Sequence, residues 1–299
     1  MKDQITRLRE HPEQLRPPAT TEELTDLQAV LGVERLPGAV LALYADHGGM
    51  DPARTSLPMR LLSPADAADA IQNWREFGVP FEDRELGVFW SDDNGNDAGV
   101  SPVGALRDRV FVIDHEEPSP EPRWTTAEPF YDALLDARDR ELLWWGDMRT
   151  EYPRRPNRQY PPDDDDLADD FFAIHERDPS SPAGRSAGFR ALALSVPQVH
   201  DQRVLALLDS DGTSMQERAV QILGVWGNPD DGWGRPEVIE PLVNMGRSGS
   251  HNARLAAMAA LRRINTPEAR SVRLQLRREF GPIQGHMLGS ELDDEGGNS

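Results

Sequence analysis

The sequence predicts an α+β domain with a mainly antiparallel, twisted sheet, followed by an all-α domain. Residues 86–118 hold two apolar runs of strand composition, 86–90 and 110–113, around a turn built from Asp92, Asp93, Asn94, Gly95, Asn96 and Asp97, with a further short strand at 98–100. Helix start and stop signals flank these strands, and the gaps between strands are turn-sized, which favours antiparallel pairing over crossover units. From residue 186 onward the pattern is helical throughout.

Length and composition set the frame. A chain of 299 residues suits two domains, and 38% hydrophobic with 28% charged residues is a globular composition that lets each bury a core. Cysteine is absent, which removes disulfides, thiolate metal sites and a cysteine nucleophile. The first 18 residues alternate charge and lack a signal peptide's apolar run, and no later run approaches a membrane span. A cytoplasmic protein with no membrane partner is therefore expected. The net charge of −20 is uneven: residues 1–150 carry 15 Lys or Arg against 29 Asp or Glu, and residues 151–299 carry 17 against 23. An acidic surface repels phosphate backbones and attracts basic partners, so nucleic acid is not expected as a ligand.

The elements of the first domain, residues 1–150, follow from local signals. An opening helix over residues 2–15 ends at Pro17 and Pro18. Thr20 with Glu23 three positions on forms a capping box; Leu24, Leu27, Val30 and Leu31 make an apolar face and Gly32 stops it. A second short helix starts near Pro37, turns Val40, Leu43 and Tyr44 inward, and breaks at His47, Gly48 and Gly49. Residues 59–62 read as a first strand. Ser63, Pro64 and Asp66 then supply an N-cap, a first-turn proline and a dipole-favoured carboxylate for a helix ending near Trp74. After the sheet, Thr126 caps a helix with Phe130, Leu134 and Ala137 on one face.

Residues 151–185 read as a Pro/Asp-rich linker with one short helix at 163–174, since proline and serine replace apolar residues there. Candidate helices follow near 186–195, 201–209, 214–227, 236–246, 252–264 and 268–279, giving a helical domain over 186–281 and a flexible acidic tail at 282–299. Two of these helices resemble each other: AVQILGVW from Ala219 aligns with AMAALRRI from Ala257, placing Leu223 on Leu261 and Trp226 on Ile264. A small residue followed four positions later by leucine lets one helix lie close against its neighbour, and with Thr266-Pro267-Glu268 this resembles HEAT-type repeats. An ordinary small helical bundle is the alternative.

In the first domain the order Leu31-Gly32, Leu36-Pro37, Tyr44 then His47-Gly48-Gly49, Trp90 with Asp92-Asp93-Asn94-Gly95-Asn96, Gly99-Val100 and His115-Glu116-Glu117-Pro118 resembles the SUKH superfamily, in particular its SMI/KNR branch. The resemblance covers about residues 20–137. It implies an α+β domain with a twisted antiparallel sheet. Its bacterial members are best understood as immunity proteins that bind and neutralise a toxin domain, whereas eukaryotic relatives look like regulatory scaffolds. This chain departs from the pattern with His47 where asparagine is common and Gly95 where serine is common.

Each chemically suggestive cluster has a plainer reading. In a calcium loop opening at Asp92, position six is Asp97 rather than glycine and position twelve is Val103 rather than glutamate, so the turn chemistry of Asp, Asn and Gly explains these residues. The HEEP stretch at residues 115–118 lacks the second histidine of a zinc-protease helix, and the other histidines show no ligand spacing. Residues 165–169 match the letters of a diphosphate-binding DDxxD motif but also suit a helix start, where the macrodipole favours acids. Arginines at 247, 254, 262, 263, 270, 273, 277 and 278 read as a solvated basic face, partly neutralised by the acids of residues 163–170. No nucleophile, base and orienter come together, so no enzyme, cofactor or metal is expected. Asp92, Asp93, Asp97, Glu116 and Glu117 are the expected rim for a cationic protein partner, a basic toxin domain and possible nuclease. A regulatory scaffold that binds cellular proteins through helical repeats is the alternative.

Overall fold

The computed structural model describes residues 2–53, 57–79, 84–116, 118–210, 212–231 and 233–280. The expected acidic tail and Glu117 lie outside them. The chain divides into two compact units, Met1–Arg154 with Arg158–Ser195, and Arg155–Asn157 with Val196–Ser299.

In the first unit, helix boundaries track capping chemistry. The opening helix α1 spans Lys2–Leu8 rather than reaching residue 15, because Pro12 cannot continue an α-helix and holds His11 in a non-helical conformation; a short 3₁₀ turn, Pro12–Gln14, follows. Helix α2 (Thr21–Leu31) has its capping box, with Glu23 N donating to Thr20 Oγ1 at 3.2 Å and Thr20 N to Glu23 Oε2 at 2.7 Å, and ends at Gly32 with φ of 68°. Helix α3 (Gly38–Asp46) leads into His47. A Cβ on Gly48 would sit 2.6 Å from the Pro17 carbonyl oxygen, and Gly49 has φ of 115°, so this pair is where three chain segments cross too closely for any side chain.

Strand β1 (Arg60–Leu61) precedes α4 (Pro64–Phe77), which runs past Trp74 because the left-handed residue that ends it is Gly78. Strands β2 (Val88–Ser91), β3 (Asp97–Val100), β4 (Val110–Ile113) and β5 (Glu121–Trp124) complete a five-stranded sheet in the order β1-β2-β3-β4-β5, every pair antiparallel. β5 escapes the sequence reading because its proline-rich surroundings resemble a loop; Pro122 is tolerated on an edge strand, where one face of the backbone needs no ladder donor. Both edges are occupied. Glu151 N and Tyr152 N donate to the Arg123 carbonyl beside β5, and Met50 N, itself bridged to Leu15, donates to Leu61 O beside β1.

Helix α5 (Ala127–Asp139) covers one face of the sheet. Phe130 stands 4.8 Å from Trp90 and 4.9 Å from Trp124 between ring centroids, edge-on to both, and Trp90 Nε1 donates to Tyr131 Oη at 2.9 Å. Each of these rings buries a large apolar area and the two polar atoms satisfy each other, so the cluster is a principal stabilising layer. Thr126 stands at the N-cap of α5 but makes no side-chain cap bond.

Residues 151–185 are structured rather than an open linker. Helix α6 (Asp164–Arg177) packs along α7 (Pro182–Leu194), α7 lies against β5, and the division between units falls at Ser195. The acidic composition suggested solvation, yet Asp164 is fully buried: Arg109 Nη2 donates to its Oδ1 at 2.5 Å and Tyr152 Oη to its Oδ2 at 2.6 Å. Arg109 also donates to Asp163 at 2.7 Å, so the guanidinium is paired on two sides. Phe171, Phe172 and His175 are buried on the same helix, with His175 Nδ1 2.9 Å from the Gly184 carbonyl. On α7, Ser181 caps by accepting from Gly184 N, and Arg190 reaches the Pro120 carbonyl at 3.3 Å with its guanidinium over the Phe171 ring.

The second unit is helical among its described residues: α8 (Asp201–Ala206), α9 (Thr213–Gly227), α10 (Ile239–Ser248), α11 (His251–Ile264) and α12 (Pro267–Phe280). The two helices that resemble each other in sequence, α9 and α11, pack side by side. Gly224 makes this approach possible, since a Cβ there would lie 2.9 Å from the Ala260 Cβ, and Ala219, Leu223, Ala257 and Leu261 are all buried.

Two outcomes follow from these contacts. Asp164→Ala leaves the buried Arg109 with the more exposed Asp163 carboxylate alone and Tyr152 Oη without its acceptor, so it should lower unfolding free energy by about 3 kcal/mol in urea titration. Gly224→Val should overpack the α9–α11 contact and cost about 1–3 kcal/mol, read as a lower thermal midpoint for the second unit.

Candidate recognition surface

The turn between β2 and β3 is a knot of acids held from within. The Asp92 carboxylate accepts from Asn94 N at 2.8 Å, Asn96 N at 3.0 Å and Asn96 Nδ2 at 2.6 Å, while Asp92 N donates to the Asn96 carbonyl. These are Asx-turn bonds, the local alternative to a ladder that short polar side chains offer. Asp93 takes a left-handed conformation with φ of 58°, and Gly95 has φ of 95° with its missing Cβ facing His115 at 3.3 Å. The turn is fastened to the next hairpin by Asn96 Oδ1, which accepts from His115 N at 3.2 Å.

Arg60 on β1 grips the knot from the other side. Its Nε and Nη2 each donate to Asp93 at 2.8 Å, and Nη1 lies 3.7 Å from Asp66. Sequence reading assigned the acids but not this partner, because Arg60 is 33 residues away with no local signal linking them. A carboxylate gripped by a guanidinium on two sides is rigid and partly neutralised.

The four described residues of the expected rim are placed differently from one another, and Glu117 lies outside the described residues. Asp92 and Asp93 stand in the turn, with the partners above. Asp97 lies below the surface at 8% exposure, its Oδ2 accepting from Trp74 Nε1 at 2.6 Å, because its β3 position points at α4. Burial raises its pKa above the ordinary carboxylate range, opposed by the Ser91 and Trp74 bonds. Glu116 is exposed beside Asp114, whose Oδ1 accepts from Glu116 N at 2.9 Å.

Other chemically suggestive groups are structural where they stand. His47 is buried with Nδ1 3.3 Å from Asp46 Oδ2, and burial lowers its pKa. His200 Nδ1 accepts from Val196 N at 3.0 Å. The DDxxD letters supply Asp165 as an ion-pair partner of Arg154. Among the described residues no group of three or more His, Asp or Glu side chains is placed to hold a metal ion. In the arginine-rich helices, Arg247 pairs with Glu279 at 3.2 Å and the Arg254 guanidinium lies over Phe280. No helix among the described residues is long and apolar enough to cross a membrane. Compared with family models and with curated proteins, the chain matches none.

Asp97 generates a pH prediction. A buried acid whose folded pKa is raised binds protons more readily folded than unfolded, so it loses stability as pH rises from about 4, the unfolded carboxylate value, through its folded pKa. Asp97→Asn keeps an acceptor for Trp74 and removes that loss. The variant should match or exceed the parent in stability at pH 7, with its advantage shrinking as pH falls through the folded pKa and gone below about 4, the unfolded carboxylate value, measured by denaturant titration across pH.

Proposed function

We propose that this chain is an immunity-type protein that binds and neutralises a cognate basic toxin domain by protein–protein contact, with its first unit a SUKH-like domain of the SMI/KNR type. The observation that carries the reading is the acidic turn at residues 92–97: Asp97 is buried beneath it, while Asp92 and Asp93 stay at the surface, held by Asn96, backbone N–H groups and Arg60 on the end of a rigid sheet. Preorganised charge of this kind favours recognition, because no ordering of the acidic loop is needed on binding. Three features of the fold support the resemblance. Gly32 ends α2, the Gly48-Gly49 pair stands at a crossing that excludes side chains, and Trp90 fills the core between sheet and α5. The packing of α9 on α11 through Gly224 supports a HEAT-like reading of the second unit, and that stacking also favours the second reading, a regulatory scaffold or adaptor.

An excess of 29 acids over 15 bases in residues 1–150 speeds capture of a basic partner by long-range attraction. Asp92 and Asp93 also hold the turn, so Glu116→Gln with Glu117→Gln, which leaves those bonded carboxylates in place, is the charge change to make. With a toxin domain in hand, the double variant should slow association several-fold and leave dissociation within about twofold, and 0.5 M salt should erase the difference. Co-expression decides between the readings: an immunity protein makes a lethal partner harmless, and a scaffold binds partners that are harmless alone.

A further inference from the structure

The segment following α5 carries a feature outside the acidic knot. Leu143 is 86% exposed and Trp144 59% exposed, and of the exposed large apolar side chains among the described residues only these two are adjacent in sequence. Scattered single apolar residues on a surface are ordinary, whereas a contiguous pair that includes tryptophan is not.

This pair is held in place. The Trp144 indole lies across Gly146, where a Cβ would stand 2.5 Å from the ring. Trp145 packs partly buried against the core with its ring centroid 6.2 Å from that of Trp144. A 3₁₀ turn, Trp145–Asp147, closes the segment, with Asp147 N donating to the Trp144 carbonyl at 3.2 Å and Met148 N to that of Trp145 at 3.0 Å. On the other side Leu142 N donates to Ala137 O at 2.8 Å. A large aromatic fixed in an exposed position loses little freedom when a partner covers it.

The surroundings specify the partner. Residues 128–147 carry six acidic residues against two arginines, and Glu128, Asp132 and Asp136 recur every fourth position on the exposed face of α5; Asp136 pairs with Arg140, Asp139 with Arg7 and Arg138, and Asp132 accepts from Gln4, which still leaves the stretch acidic on balance. We infer that Leu143 and Trp144 are the apolar anchor by which this chain docks a cationic protein, the tryptophan entering an apolar socket rimmed by Lys and Arg. This rests on the proposed function for the identity of the partner as a toxin, and not for its chemistry.

The test uses the full chain with the photocrosslinker p-benzoylphenylalanine at position 143, irradiated in cells that naturally make it, and the same probe at Val199 as the control. The captured protein is then purified and titrated against the parent, Trp144→Ala and Leu143→Ser chains. The inference expects a protein of net positive charge, captured from position 143 and not from 199. It also expects Kd raised about tenfold or more by either substitution, through faster dissociation, with unchanged circular dichroism and thermal midpoint. Capture of nothing, of a second copy of this chain or of an acidic protein overturns it, as does a Kd changed less than about twofold by both variants. Toxicity of the captured protein alone is a separate readout: a harmless cationic partner leaves the anchor standing and removes the immunity reading.

Discussion

The buried contact of Arg109 with Asp164 organises the first unit. Two charges with almost no exposure are tolerable only because each is answered: Asp164 by Arg109 and Tyr152, Arg109 by Asp163 as well. The contact joins residues 55 positions apart and fixes the start of α6 against the sheet. With α6 placed, α7 follows, and Arg190 reaches the backbone just ahead of β5. A region with the composition of a spacer thereby becomes part of the core.

Around that centre the acidic character of the chain has two different physical forms. Some carboxylates are structural, satisfied by guanidinium, indole or backbone donors, as at Asp93, Asp97 and Asp164. Others, such as Glu116, face solvent and act at a distance through charge. Truncating the first kind leaves its donors unmet and neutralising the second changes encounter with other molecules, so counting acids alone does not predict the effect of removing them.

What was legible in the sequence follows the range of the interaction. Thr20, Gly32 and Ser63 cap or end helices through bonds to neighbours, and their positions are readable from a few residues. The antiparallel hairpins were readable for the same reason. β5 was hidden by Pro122, the fold of residues 151–185 by a charge that is buried only because a distant arginine meets it, and the inward aim of Asp97 by a Trp74 contact 23 residues away. In the candidate site the acids and His115 were visible, but the grip of Arg60 on Asp93 and the bond from His115 N to Asn96 were not.

The occupied edges of the five-stranded sheet narrow how the first unit can meet another protein. Backbone at Met50 lines one border at Leu61 and backbone at Glu151 and Tyr152 the other at Arg123, so an incoming strand meets chain already bonded there. Partners that recognise peptides by extending a sheet depend on such a row, and register there is read by main chain more than by side chain. Specificity in the first unit is then written more in side chains and loops than in an open main-chain edge, and single substitutions there can retune it without disturbing the sheet.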